Sequence, residues 1–428
     1  MLKMSVLGID FGTSKTIVSW LNPRTKIAET LKCFNHDDML LSVVCVTSED
    51  RVICGKDAEQ NGLSDPLSVR RKFKLQLGRN DILIRKKTRS GVVEYTAKDL
   101  VYHFFKYIRK KCQETSELSG AILEDVVITV PVIFSEAQKQ DLLEAAKKAG
   151  FKNVQIELEP EAAAIAYIKA SSVQTSRALV VDWGGGTFDT TLVTMDSSAN
   201  IACERKFSKG DCRIGGEEID RKFIDYIIER YKQQGANIPE IDFDDTLDAA
   251  EAIVNMTERY RLQKGILEDK CRLDNVDEIK SYPMGGKGNS PLQQITISRR
   301  DFCTVAKKEL DIACSIIKEL LEEIPADMQP ERLLLAGRTC RSKVIQEALK
   351  VASGLEITEW QNSREAISLG AVYLGNGTNK SNKNISDLNT QEKDEILEMA
   401  ESPNTNNKMS GGSYMGRKPN TPRHKTFS

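Results

Sequence analysis

The chain carries almost no excess charge of either sign. Its 61 basic residues are offset by 62 acidic ones, a formal net charge of −1. That balance excludes a basic nucleic-acid coat and a strongly acidic solvating protein, and any nucleic-acid contact would need a local patch. No apolar run approaches the roughly 18–20 residues needed to span a bilayer, so no membrane partner is expected. The N-terminal segment meets Asp10 and two glycines before a signal-peptide core can form, which argues for a cytoplasmic protein. None of the ten cysteines stands in a C-x-x-C pair, and they read as reduced thiols, most of them small core residues. No zinc site is expected from such spacing. What the chain does have is 40% hydrophobic residues over 428 positions, enough for a real core and for two or three domains.

Strands alternate with helices along the chain, the pattern of an α/β fold. Residues 6–9 are a short apolar run ending at Asp10, followed by a tight turn over 12–15 and a second strand over 17–20. Residues 43–46 and 126–130 read as strands, the latter stopped by Pro131. Residues 98–114 read as a helix, and another runs from about Ser135, its N-cap, to Lys148, with Gly150 as the stop. A second strand–turn–strand spans 178–193. It echoes the first: an apolar strand, an Asp at its end, one residue, then a glycine in a small-residue turn. The echo implies an internal duplication, with one lobe over 1–181 and another over 182–375, each offering a hairpin. Ile219, Phe223, Ile224, Ile227, Ile228 and Tyr231 fall at helical spacing and read as core. Residues 284–288 read as a glycine-rich surface turn. Residues 333–336 form a strand leading through Gly337 into a helix that ends near Val351. From 376 to 428 the composition turns polar, with a basic, proline-containing end, and predicts a disordered tail able to tether weakly to an anionic partner.

Asp10 and Asp182 carry the chemistry. Each ends a buried strand and is followed by glycines, which let a backbone approach phosphate and aim its N–H groups at the oxygens. Thr13, Ser14 and Thr187 can donate further hydrogen bonds. A carboxylate at each strand end suits a hydrated Mg²⁺, which takes few protein carboxylates, several waters and substrate phosphates. Two facing hairpins would clamp a nucleoside triphosphate between lobes.

Residues 9–14, Ile-Asp-Phe-Gly-Thr-Ser, resemble the first phosphate motif of the actin-fold ATPases, and 182–189, Asp-Trp-Gly-Gly-Gly-Thr-Phe-Asp, resemble the second. The latter version is typical of the seventy-kilodalton heat-shock protein family of DnaK type. Residues 128–131 with 138–140 and 149–150, residues 159–164 (Glu-Pro-Glu-Ala-Ala-Ala) and residues 215–220 (Gly-Gly-Glu-Glu-Ile-Asp) resemble three more segments of that family, in the right order. The resemblance covers about residues 5–375. It implies a two-lobed actin-like fold of duplicated ribonuclease-H-like lobes with inserted subdomains, and slow, Mg²⁺-dependent hydrolysis of ATP to ADP and phosphate.

By that resemblance Asp10 and Asp182 sit near Mg²⁺ and its waters, and Gly12, Thr13, Ser14, Gly184, Gly185, Gly186 and Thr187 bind the phosphates. Asp189 supports the second hairpin, Glu159 orients a metal-bound or attacking water, and Lys74 lies by the γ-phosphate to align the nucleophile. Gly215, Gly216 and Glu217 would complete the nucleotide site, and Gly337, Arg338 and Arg341 its nucleoside side, with Arg341 packing on adenine. The adenosine side departs from the family: Arg338 replaces a glycine, Lys343 a proline and Arg364 an aspartate, and only 258–261 or Lys264 echo the adenine brace. Lys15 adds a positive charge beside the phosphates, to serve them or to pair with a carboxylate. The polar stretch after Gly375 is too short for the family's peptide-binding domain. Two readings follow: an ATPase acting as a nucleotide switch, read by a chaperone or cochaperone partner, or a non-hydrolysing module that regulates another chaperone. A sugar- or acetate-kinase relative of the same fold fits the motif set less well.

Overall fold

A computed structural model of the chain describes residues 4–34, 38–62, 65–170, 177–195, 201–235, 265–268, 270–281, 295–358 and 364–377. The chain divides into a unit of residues 1–379 and a second of 380–428. The second, where the sequence predicts a polar tail, lies outside the described residues, as do the glycine-rich 284–288 and the echo of an adenine brace at 258–264.

Two mixed sheets are each built around one of the expected hairpins, giving the α/β class. In the first, Met4–Phe11 turns back into Lys15–Leu21, with Asp10 opposite Ile17. Ile122–Val130 joins Met4–Phe11 in parallel, Asn153–Leu158 extends that edge, and Ala28–Thr30 and Met39–Leu41 pair with Lys15–Leu21. In the second, Arg177–Trp183 pairs with Phe188–Met195, placing Asp182 opposite Asp189. Arg332–Ala336 joins it in parallel, and Ile201–Asp211 extends the other edge. Both sheets therefore repeat one scheme: a hairpin whose first strand has a parallel neighbour. Arg177–Trp183 lies wholly in the second sheet, straddling the expected division at residue 181.

Apolar runs dictate these strands because they are covered on both faces. Phe11 is fully buried in an aromatic cluster with Phe73, Phe104 and Phe105, at ring distances of 5.9, 5.7 and 5.2 Å. Trp183 holds the equivalent place in the second hairpin. It stacks edge-on with Phe188 at 5.1 Å and donates from its indole N–H to the Ile214 carbonyl at 2.6 Å. Each hairpin is thus anchored by a large ring one residue after its aspartate.

Helix starts follow capping chemistry. Ala97–Gln113 begins at Thr96 and Glu136–Lys148 at Ser135, each with a reciprocal capping box, to Asp99 and Gln138. Gly216–Gln233 buries the face predicted from its spacing. One boundary differs from expectation. Gly337 has a positive φ of 81° and leads first into a short 3₁₀ turn, Thr339–Arg341, so the helix starts only at Lys343.

Two small-residue helices join the sheets. Glu159–Ala170 packs on the second sheet and Ala366–Gly377 on the first, and the two cross at Gly370. A Cβ there would lie 1.7 Å from the Ala162 carbonyl oxygen, so only glycine permits this approach. Ala162, Ala163 and Ala164 are buried at the crossing. A buried contact between the Ser19 and Ser368 hydroxyls, at 2.8 Å, and a bond from the Tyr167 hydroxyl to the Leu335 carbonyl tie the pair to the sheets.

Candidate functional site

The two hairpin turns meet tip to tip. Each has four residues between its last paired residues: 12–15 after Phe11 and 184–187 after Trp183. Lys15 therefore stands where the other hairpin has Thr187. Gly184 N–H closes its turn on the Thr187 carbonyl at 3.0 Å. A Cβ at Gly12 would lie 2.2 Å from the Lys15 carbonyl oxygen. Between the turns the fit is equally close. A Cβ at Gly185 would lie 2.1 Å from Ser14 Oγ, and one at Gly186 would lie 2.8 Å from the Thr13 methyl. These glycines are required by approach, since the facing turn occupies the space a side chain would take.

Several supports were not legible in the motifs. Ser42 donates to the Gly12 carbonyl at 2.7 Å, and its N–H bonds the Ser14 carbonyl at 2.9 Å, pinning the first turn. The Thr339 hydroxyl bonds the Gly184 carbonyl at 3.0 Å, pinning the second. The start of the helix Gly216–Gln233 also backs the second turn: Gly216 N–H and Glu217 N–H bond the Gly184 and Gly185 carbonyls, both at 2.9 Å. Gly215 and Gly216 thus abut the hairpin itself, and Glu217 reaches across to Lys72 in an exposed ion pair at 2.9 Å.

Beneath the turns lies a cluster of carboxylates. Lys74 Nζ pairs with Glu159 Oε1 at 3.0 Å; both side chains are buried, at 4% and 7% exposure. Glu159 is the first residue of its helix, and Lys74 sits in a 3₁₀ turn, Phe73–Gln76. The Lys74 ammonium also lies over the Phe11 and Phe134 rings, 5.7 and 5.2 Å from their centroids. Asp10, Asp182 and Asp189 share the same ground. Burial, then the Glu159 charge, pushes the Asp10 carboxyl up to about 7 against a smaller opposing pull from Lys74. Burial raises Asp182 well above the usual range, helped by Glu159, Asp10 and Asp189. Asp189 rises to about 7 for the same reasons, moderated by a hydrogen bond with the Thr187 side chain. Four carboxylates thus face one lysine.

That imbalance tests the fit of a Mg²⁺ nucleotide. A divalent cation would offset the excess negative charge. Ser14 Oγ and Asp189 Oδ2 are buried without a partner among the described residues, leaving one donor and one acceptor for a ligand and its waters. The glycine-lined junction supplies the cradle. A small cavity lined by Pro131, Glu159, Asp182, Asp189 and Thr191 opens beneath it, with room for a water-sized group. Among the described residues no three or more acidic, His or Cys side chains converge to ligate a metal directly, so the residues present fit a cation held through its waters.

Of the nucleoside-side residues, Gly337 abuts the cluster and the arginines lie outside it. Gly337 backs onto the second hairpin: a Cβ there would lie 2.4 Å from the Trp183 carbonyl oxygen and 2.6 Å from Asp182 Oδ1. Arg338 and Arg341 are exposed. Arg364 does not project as a lone charge; it pairs with Asp38 and Glu365. Lys15 makes no ion pair with a described carboxylate. All ten cysteines are unpaired thiols, and among the described residues no helix is long and apolar enough to cross a membrane.

Comparison with known proteins agrees with this arrangement. Residues 6–391 match the family model described as Hsp70 protein. Chaperone protein DnaK of Thermotoga neapolitana is 26% identical over 373 residues, which cover 86% of this chain and 59% of that protein. DnaK of Thermotoga maritima is also 26% identical, over 374 residues, and DnaK of Thermosipho melanesiensis 24% over 372, with the same coverage. The chain spans about three-fifths of the length of these curated relatives. Paired sheets, mated hairpins and crossing helices make an actin-like ATPase fold. With the family model matched along most of its length, the chain belongs to the Hsp70 protein family.

Proposed function

We propose that this chain binds ATP and ADP with Mg²⁺ at the hairpin junction, hydrolyses ATP slowly, and acts as a nucleotide switch in protein folding or partner regulation. The observation that carries this reading is the set of four carboxylates around Lys74, two buried and two half-buried, beneath two mated glycine turns. Asp10 and Asp182 would hold Mg²⁺ through its waters. Thr13, Ser14 and Thr187, with the N–H groups of Gly12, Gly185 and Gly186, bind phosphate oxygens, while Gly184 shapes the turn by its bond to the Thr187 carbonyl. When bound, Mg²⁺ supplies charge neutralisation to the phosphates. Lys74, held by Glu159 and two aromatic rings, aims a fixed cation at the γ-phosphate end. Glu159 and Asp189 hold a water in the small cavity for in-line attack, where positioning and electrostatics supply most of the rate.

Two lobes, each built on one of the sheets, pivot on the crossing helices as nucleotide binds at the mated turns, and a chaperone or cochaperone partner reads the movement. The names of the DnaK relatives, as chaperones, support that role. A cytoplasmic setting suits ten unpaired cysteines. Of the two arginine departures on the adenosine side, Arg364 has its charge met by Asp38 and Glu365, which weakens the non-hydrolysing alternative. Phosphate release from ATP tests the reading. Asp182→Ala should reduce release at least a hundredfold while leaving the circular-dichroism spectrum unchanged. Equal release by Asp182→Ala and the parent chain would refute the assignment.

A further inference from the structure

The carboxylate floor has a counterpart on the other side of the second hairpin, and it is positive. Gly337 presses against Trp183 and Asp182 so closely that no side chain fits there. The residue that follows, Arg338, is therefore fixed beside the hairpin that ends in the phosphate-type turn. Its backbone is right-handed helical, at φ −70° and ψ −31°, a conformation that does not call for glycine. The next residue, Thr339, bonds the Gly184 carbonyl and locks this short turn to the hairpin. Arg338 thus stands on a rigid mount.

Its surroundings leave its charge unspent. Among the described residues no carboxylate lies within ion-pair distance of Arg338 or Arg341, while Arg364 is matched by Asp38 and Glu365. Arg338 is exposed, and the charges that act on it are the like ones of Arg364 and Arg341. An exposed cation that feels two like charges, with no acid to meet it, suits an anion. The same hairpin offers a place for one, because its turn amides suit phosphate.

We infer that Arg338 is a specificity-determining residue that holds the phosphate chain of the nucleotide from the nucleoside side, so that the site selects nucleoside di- and triphosphates by their charge. This rests on the nucleotide reading above and adds to it. The carboxylates need a divalent cation, which covers one flank of the polyphosphate, and Arg338 covers the other. A planar guanidinium suits two phosphate oxygens at once, where an ammonium gives a point charge.

The test is calorimetric binding of ADP, AMP and adenosine, with Mg²⁺, to the full chain and to its Arg338→Ala and Arg338→Lys variants. Arg338→Ala should weaken ADP roughly ten- to a hundredfold, the range for a charge-assisted hydrogen bond, and leave adenosine unchanged. Arg338→Lys should recover part of the loss, and the salt dependence of ADP binding should be shallower in Arg338→Ala. ADP binding by Arg338→Ala equal to that of the parent chain would overturn the inference while leaving the nucleotide site standing. Tighter binding would show Arg338 to be an obstruction. Failure of the parent chain to bind either ADP or ATP would instead refute the nucleotide reading, and the inference with it.

Discussion

Replacing Lys74 by Met keeps the hydrocarbon stem between Phe11 and Phe134 and removes only the charge. Lys74 is 3% exposed and Glu159 5%, so the lost partner is not replaced by bulk water. Breaking a buried pair by removing one member costs about 3–5 kcal/mol. Here the cost has a particular form, because Glu159 would then face Asp10, Asp182 and Asp189 with no cation. The raised aspartates respond by taking up protons, so the penalty should be largest near pH 8 and smaller near pH 6. Glu159→Gln should cost less than Lys74→Met, since Lys74 keeps three other carboxylates nearby while the crowding among them eases. The double variant should be more stable than the two single penalties sum to, by about 1–3 kcal/mol of coupling. Urea denaturation followed by tryptophan fluorescence reads this directly, as Trp183 is fully buried one residue after Asp182. A Lys74→Met variant within about 0.5 kcal/mol of the parent chain at pH 8, the scatter of ordinary surface changes, would refute the reasoning. So would strict additivity of the two changes.

The site also sets a pH dependence. Asp10 and Asp189 titrate near 7 when folded against 3.8 as free side chains, so the folded state binds more protons between those values. In the presence of a chelator stability should fall as pH rises from about 4 to about 7, and Asp189→Asn should flatten part of that slope; thermal melts that hold steady or rise across the window would contradict it. Gly185→Ala places a methyl 2.1 Å from Ser14 Oγ. It should hold the hairpins apart and weaken ATP binding at least tenfold; unaltered affinity in Gly185→Ala would show that the fit between the turns does not govern nucleotide binding.

Much of this site is written locally. The apolar strands ending in Asp10 and Asp182, the turn glycines and the capping serine at 135 are neighbours in sequence, and local patterning places them. What the sequence leaves out is whatever depends on distance between segments. Ser42 reaches the first turn from 28 residues beyond Ser14, and Thr339 reaches the second from the far end of the chain. Phe134 beside Lys74, and Gly370 against Ala162, are contacts that only the assembled sheets create. The raised aspartates are likewise a collective effect of burial and like charge. The sequence departures at Arg338 and Arg364 were visible, but their meanings diverge only in space: one is paired with acids and the other stands unmatched. The helix expected directly after Gly337 begins later because that glycine's positive φ turns the chain before helix can form.

The most direct test of the central claim is a calorimetric titration of the full chain with ADP and with ATP, each with Mg²⁺ and again with a chelator. The carboxylate cluster beneath the mated turns predicts saturable one-to-one binding of about micromolar strength or tighter, weakened sharply when Mg²⁺ is withdrawn. Absence of saturable binding to either nucleotide in Mg²⁺, from protein whose Trp183 signal reports an intact fold, would contradict it.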